Sequence, residues 1–127
     1  MSEAQEILKN LFRKFCEEQG LDYDNYDSED TSTGLIFSSG NEEYRLLDEC
    51  EAEDLFNESL DSYIDDCILS QIPENLRYYF DSEAFKRDVQ LSEGRGPTLA
   101  PYDGIEHEYF FRDSSDRFVS VYIYRIN

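Results

Sequence analysis

Ile72-Pro73-Glu74-Asn75-Leu76-Arg77-Tyr78-Tyr79-Phe80-Asp81-Ser82-Glu83-Ala84-Phe85-Lys86-Arg87-Asp88-Val89-Gln90-Leu91 reads as two short helices meeting at a corner. Pro73 suits a first helical position, where its missing N–H costs nothing. Asp81 and Ser82 are both good N-cap residues for a second helix running to about Leu91. Leu76, Tyr79 and Phe80, then Phe85 and Val89, recur at three- and four-residue spacing, so each helix carries one apolar face. On this reading Tyr79, Phe80 and Phe85 are core residues, Asp81 is a cap, and the rest of the chain packs around the corner.

Before the corner, residues 3–19 predict a helix whose stripe is Ile7, Leu8, Leu11, Phe12 and Phe15, with Cys16 at its edge. Ser2 can cap its start and Gly20 can end it in the left-handed conformation. Residues 21–30 alternate acids with tyrosines and read as a loop; Asp22, Asp24 and Asp27 are close together there. A calcium loop fails on register, because its sixth position is Asp27 where glycine is needed and its twelfth is Thr33 where glutamate is needed. Residues 34–37 and 43–47 form a hairpin about the turn Ser38-Ser39-Gly40-Asn41. Asp48 then opens a long helix to about Ser70. Its buried stripe is Leu55, Phe56, Leu60, Tyr63, Ile64, Cys67 and Ile68, and Glu51, Asp54, Glu58, Asp61, Asp65 and Asp66 occupy the rest of its surface. Acids in its first turns also complement the helix dipole.

After the corner, residues 92–97 read as a loop whose Gly-Arg-Gly lacks the context of a phosphate cradle. Tyr102-Asp103-Gly104 is a turn. Residues 106–112 and 117–125 form a C-terminal hairpin about Asp113-Ser114-Ser115-Asp116. The fold class expected is α+β: one small acidic domain over residues 1–127, with three to four helices around the corner and short antiparallel hairpins.

Charge narrows the function. The formal net charge is −19 in 127 residues, well past the magnitude of about 2–8 that serves solubility. Residues 1–70 hold 20 of the 30 acids and four bases, for a net of −16 against −3 in residues 71–127, so the front of the chain is its acidic face. Such a chain repels nucleic acid and anionic membranes and favours basic partners. Three unpaired cysteines, no basic segment leading into an apolar run and no apolar stretch near membrane length predict a cytoplasmic protein.

Catalytic patterns are missing. His107, flanked by Glu106 and Glu108, fits a polar surface residue of a strand better than a general base. Three cysteines and one histidine lack zinc spacing. No enzyme activity, cofactor or metal is expected.

The run Tyr79-Phe80-Asp81-Ser82-Glu83-Ala84-Phe85-Lys86-Arg87-Asp88-Val89, preceded by Ile72-Pro73-Glu74, resembles the antirestriction motif of ArdA-type proteins. Ser82 stands where that family has an aromatic, and Lys86 where it has a small residue. ArdA-type proteins are elongated acidic DNA mimics of plasmids, transposons and phages that dimerise and occupy the DNA groove of Type I restriction–modification enzymes. The resemblance implies an anti-defence inhibitor with Asp22, Asp24, Asp27 and the acids of the long helix imitating phosphates. Its partner would be the basic DNA channel of a nuclease or methyltransferase complex, including a CRISPR effector. It also implies a homodimer in which Arg87 pairs with a carboxylate such as Asp88 of the neighbouring subunit; pairing with Glu83 one turn earlier is the local alternative. The competing reading is an acidic adaptor or regulator of a mobile element, without mimicry.

Overall fold

The computed structural model describes residues 3–127, so the expected cap at Ser2 lies outside the described residues. The fold is α+β. Its centre is one antiparallel sheet of five strands, in the order β1 (Asp27–Thr31), β2 (Gly34–Ser39), β3 (Glu42–Asp48), β5 (Phe118–Arg125), β4 (Glu106–Arg112). Both expected hairpins form, and β3 from the acidic half bonds to β5 from the other half, so the two halves share the sheet.

Side-chain alternation along the central strands builds a core on each face. Val121 and Ile123 of β5, with Tyr44 and Leu46 of β3 and Leu35 and Phe37 of β2, face α1 (Glu3–Gln19). Phe12 of α1 stacks on Phe37 at 4.1 Å, and Phe15 and Cys16 are buried beside it. Gly20 ends α1 at φ 72°, as expected. On the other face Tyr122, Tyr124 and Leu47 pack against Ala52, Phe56 and Leu60 of α2 (Glu49–Tyr63), and against Leu99 and Ala100 at the end of the short helix α4 (Gly96–Leu99). α2 opens on a reciprocal capping box: Asp48 accepts from the Glu51 N–H at 2.8 Å, and Glu51 accepts from the Asp48 N–H at 3.1 Å.

The corner is not the centre of the fold. Its first arm is a 3-10 helix (Glu74–Tyr79) entered from Pro73, which keeps an extended ψ of 139° outside the helix. The second arm, α3 (Ser82–Ser92), is capped as expected, with Asp81 accepting from the Ala84 N–H at 3.0 Å. Both cores lie on the sheet, and the corner is carried beyond it by the end of α2. Tyr79 is therefore 71% exposed and Tyr78 75%, while Phe80 and Phe85 are half-buried; none is a core residue.

Four further expectations change. Residues 21–30 contain a 3-10 turn (Tyr23–Asn25) and strand β1, because Tyr23 and Tyr26 anchor the run on Phe12 and the backbone then pairs with β2. The long helix is α-helical only to Tyr63 and continues as a π turn over Ile64–Ile68 and a 3-10 turn over Leu69–Gln71. That wider turn shifts the phase of the side chains that follow, leaving Cys67 exposed while Ile64 stays buried; Tyr63, before the turn, is half-exposed. The loop expected at 92–97 contains the start of α4. His107 is half-buried, its ring set edge-on to Phe15 at 5.0 Å, and so is packing as well as polar surface.

Candidate functional site: an acidic helix face

Asp65 and Asp66 lie beyond α2 in the π turn, and within α2 four of the acids, Glu51, Asp54, Glu58 and Asp61, alternate steps of three and four residues. That spacing keeps them on one side of the helix, opposite the buried Ala52, Phe56 and Leu60. From Glu51 to Asp61 the stripe spans about 15 Å at about 1.5 Å per residue. One strand of duplex DNA sets a phosphate about every 3.4 Å of axis, so about four phosphates occupy the same length.

The members are not equivalent. Glu51 is tied to the helix start by the capping box. Burial raises its carboxyl above the ordinary value; the backbone bond from Asp48 opposes this, and the charges of Asp48 and Asp30 add to the rise. Asp61 accepts from Lys86 of α3 at 3.0 Å. Asp54, Glu58, Asp65 and Asp66 are exposed and have no ion-pair partner among the described residues. Glu51, Asp54 and Glu58 share a groove with Ser32 and Thr33 of the β1–β2 turn. The β1 edge adds exposed Asp27, Glu29 and Asp30. Such charges also protect an open edge from pairing with other chains. Asp22 caps the 3-10 turn by accepting from the Asp24 N–H, and Asp24 is exposed. Among the described residues no hydrogen bond or ion pair ties Asp22, Asp24 or Asp27 to α2. The structure thus brings Glu51, Asp54, Glu58 and Asp61 onto one face of α2, sets Asp65 and Asp66 beyond its end in the π turn, and leaves Asp22, Asp24 and Asp27 as a separate group.

The motif residues divide. Tyr79 lies against Tyr78 at 4.2 Å, Phe80 against Phe85 at 5.8 Å, and Phe85 stacks on Tyr63 at 6.2 Å. Glu83 pairs with Lys86 at 3.1 Å, not with Arg87. Arg87 and Asp88 are exposed, and Arg87 has no ion-pair partner among the described residues, so the local Glu83–Arg87 pair does not form.

Sequence reading missed Arg95. It is only 7% exposed and meets Glu49 through two hydrogen bonds at 2.9 and 3.2 Å, Glu53 at 3.2 Å and Glu106 at 3.0 Å. Its guanidinium lies 4.6 Å from the Tyr122 ring centroid. The Tyr122 hydroxyl lies within hydrogen-bond reach of both Glu49 and Glu108 and donates its one proton to either, and Tyr124 donates to Glu106. Burial opposes the arginine's charge, but the bonds from Glu49 and Glu106 outweigh it and hold the guanidinium above its ordinary value. Gly96 lets this segment approach the loop that leads into β4, since a Cβ there would clash with the Gly104 carbonyl oxygen. The signal available in the sequence was a lone arginine between two glycines, with Glu106 and Glu108 two apart on one strand face.

Among the described residues no group of three or more His, Cys, Asp or Glu side chains could hold a metal ion, and no helix is long and apolar enough to cross a membrane. Comparison with protein families, curated proteins and solved structures finds no match to this chain.

Proposed function

We propose that this protein is a non-enzymatic anti-defence inhibitor that resembles ArdA and acts in the bacterial cytoplasm by imitating DNA phosphates. Its target is the basic DNA channel of a Type I restriction–modification enzyme or of a related complex such as a CRISPR effector. The observation that carries this reading is the α2 stripe, where Asp54 and Glu58 stand exposed on one face without a counter-charge, with the equally unpaired Asp65 and Asp66 just beyond the end of the helix. A net charge of −19 supplies the long-range attraction to a basic channel. The test is competition. Purified protein should displace duplex DNA from a Type I restriction complex, and raising salt from low to physiological strength should weaken that binding steeply. Joint binding of DNA and protein to one complex would exclude mimicry.

The adaptor reading has one observation in its favour. Tyr78 and Tyr79 are exposed aromatics at the corner, and phosphate imitation has no use for them. An adaptor would bind its partner through that surface and leave DNA undisturbed.

A further inference from the structure

A groove of about 490 Å³ lies between α2 and α3, lined by Leu60, Tyr63, Phe85 and Val89 together with Glu93 and Thr98. Tyr63 is 50% exposed although its ring stacks on Phe85, and Val89 is half-buried against the α2 core. Apolar side chains that a neighbouring element would normally cover are thus open to water. No lysine or arginine lines the groove, and Glu93 stands in its wall. Asp88 follows Phe85 by three residues on α3, a spacing that sets side chains beside one another on a helical surface. The nearby Lys86 is already held by Asp61 and Glu83. The site is an apolar channel between two helices with an anionic border.

We propose that this groove docks a basic amphipathic helix of a partner protein. Its aliphatic anchors enter between Tyr63, Phe85 and Val89, and its Lys or Arg side chains meet Glu93 and Asp88. A channel between helices takes a helix through anchors at i, i+3, i+4 and i+7. The border charge selects a cationic one. A second copy of this chain is the poorer occupant, because it would bring a further −19 to an anionic border. The groove uses residues outside the unpaired α2 stripe, and its occupancy does not depend on phosphate imitation.

Two synthetic peptides of equal positive charge test it by calorimetry and amide shift mapping. One carries leucine at heptad a and d positions with lysine or arginine elsewhere; the other has serine for every leucine. The leucine peptide should bind at least about tenfold tighter, about 1.4 kcal/mol, with shifts centred on Tyr63, Phe85 and Val89. Val89→Glu and, separately, Tyr63→Ser should each remove that margin. Circular dichroism identifies any variant that unfolds, and Tyr63→Ser, at a half-exposed site, is the variant that tolerates the change. Reversing Asp54, Glu58 and Asp65 together should weaken both peptides and leave the margin between them, which separates this site from the mimicry face. Equal binding of the two peptides, shifts spread along the α2 stripe, or a margin that survives in folded groove variants would overturn the proposal. So would a wild-type dimer that Tyr63→Ser converts to monomer, since the groove would then belong to a second copy.

Discussion

Arg95 is the cation on which the carboxylates over the sheet depend. Removing one partner of a buried ion pair leaves uncompensated charge behind, at a typical cost of about 3–5 kcal/mol. The carboxylates that Arg95 binds are 57%, 42% and 28% exposed, so water takes up part of that charge and Arg95→Ala should cost less than this range by urea unfolding. Arg95→Lys should restore only part, because an ammonium cannot bond Glu49 with a two-pronged fork. Hydrogen bonds from Arg95 and Tyr122 hold the Glu49 carboxyl below its ordinary value. A depressed carboxylate contributes stability above its unfolded value, about 4.5, and that contribution is lost as pH falls through the lower folded value. Acid melting should therefore begin below about 4.5 and be blunted in Glu49→Gln. At the alkaline end, burial and the bonds to Glu49 and Glu108 push Tyr122 up to about 12. The stability this raised value brings is present at neutral pH and is lost only as pH rises through it. The cysteines divide likewise: burial, then the Asp22 charge, push Cys16 up to about 11, while Cys50 and Cys67 are exposed. A thiol reagent at neutral pH should label the latter two in the folded protein and Cys16 only after unfolding.

Among the elements, α3 and its approach put cap and packing on different residues. Asp81→Ala should cost roughly 1 kcal/mol, the usual value of an N-cap. Tyr79→Ala, at an exposed site, should stay within about 0.5 kcal/mol. Phe12→Ala removes a ring that is 0% exposed and should cost about 3–5 kcal/mol. Thermal or urea melts of the three variants order them, and a Tyr79→Ala loss as large as that of Phe12→Ala would return the corner to the core. Local patterns made the elements legible: the stripe of α1, the turns of both hairpins, and the caps Asp48 and Asp81 could all be read from neighbouring residues. The centre could not. Aromatic spacing at 79, 80 and 85 is the same whether a sheet covers those rings or water does, and only the β3–β5 pairing decides which. The acids of α2 were legible as one face because helical periodicity is local. Asp61 meeting Lys86, 25 residues away in sequence, and Arg95 meeting Glu49, 46 away, leave no periodic trace. The π turn after Tyr63 escaped for the opposite reason, since Leu60, Ile64, Cys67 and Ile68 keep the three- and four-residue spacing of an unbroken α-helix.

For the molecule as a whole, charge sets two salt effects of opposite sign. A net −19 repels itself in the compact state, so added salt should raise the melting temperature. The same salt should weaken competition with DNA. Reversing any one of Asp54, Glu58, Asp65 and Asp66 should change inhibition little, while reversing all four should abolish it in a protein that still melts cooperatively. Full inhibition by a folded fourfold variant would move the face elsewhere on the surface. The strand order β1-β2-β3-β5-β4 carries a consequence in time. β1, β2 and β3 are joined by short turns and can zip up as the chain collapses, but β3 must wait for β5, and Leu46 meets Ile123 across more than half the sequence. Closing so long a loop spends entropy before any contact repays it, so the arrival of β5 at the open edge of β3 should be the rate-limiting event. Val121→Ala should slow refolding in stopped-flow as well as speed unfolding, whereas Asp81→Ala should act almost wholly on unfolding.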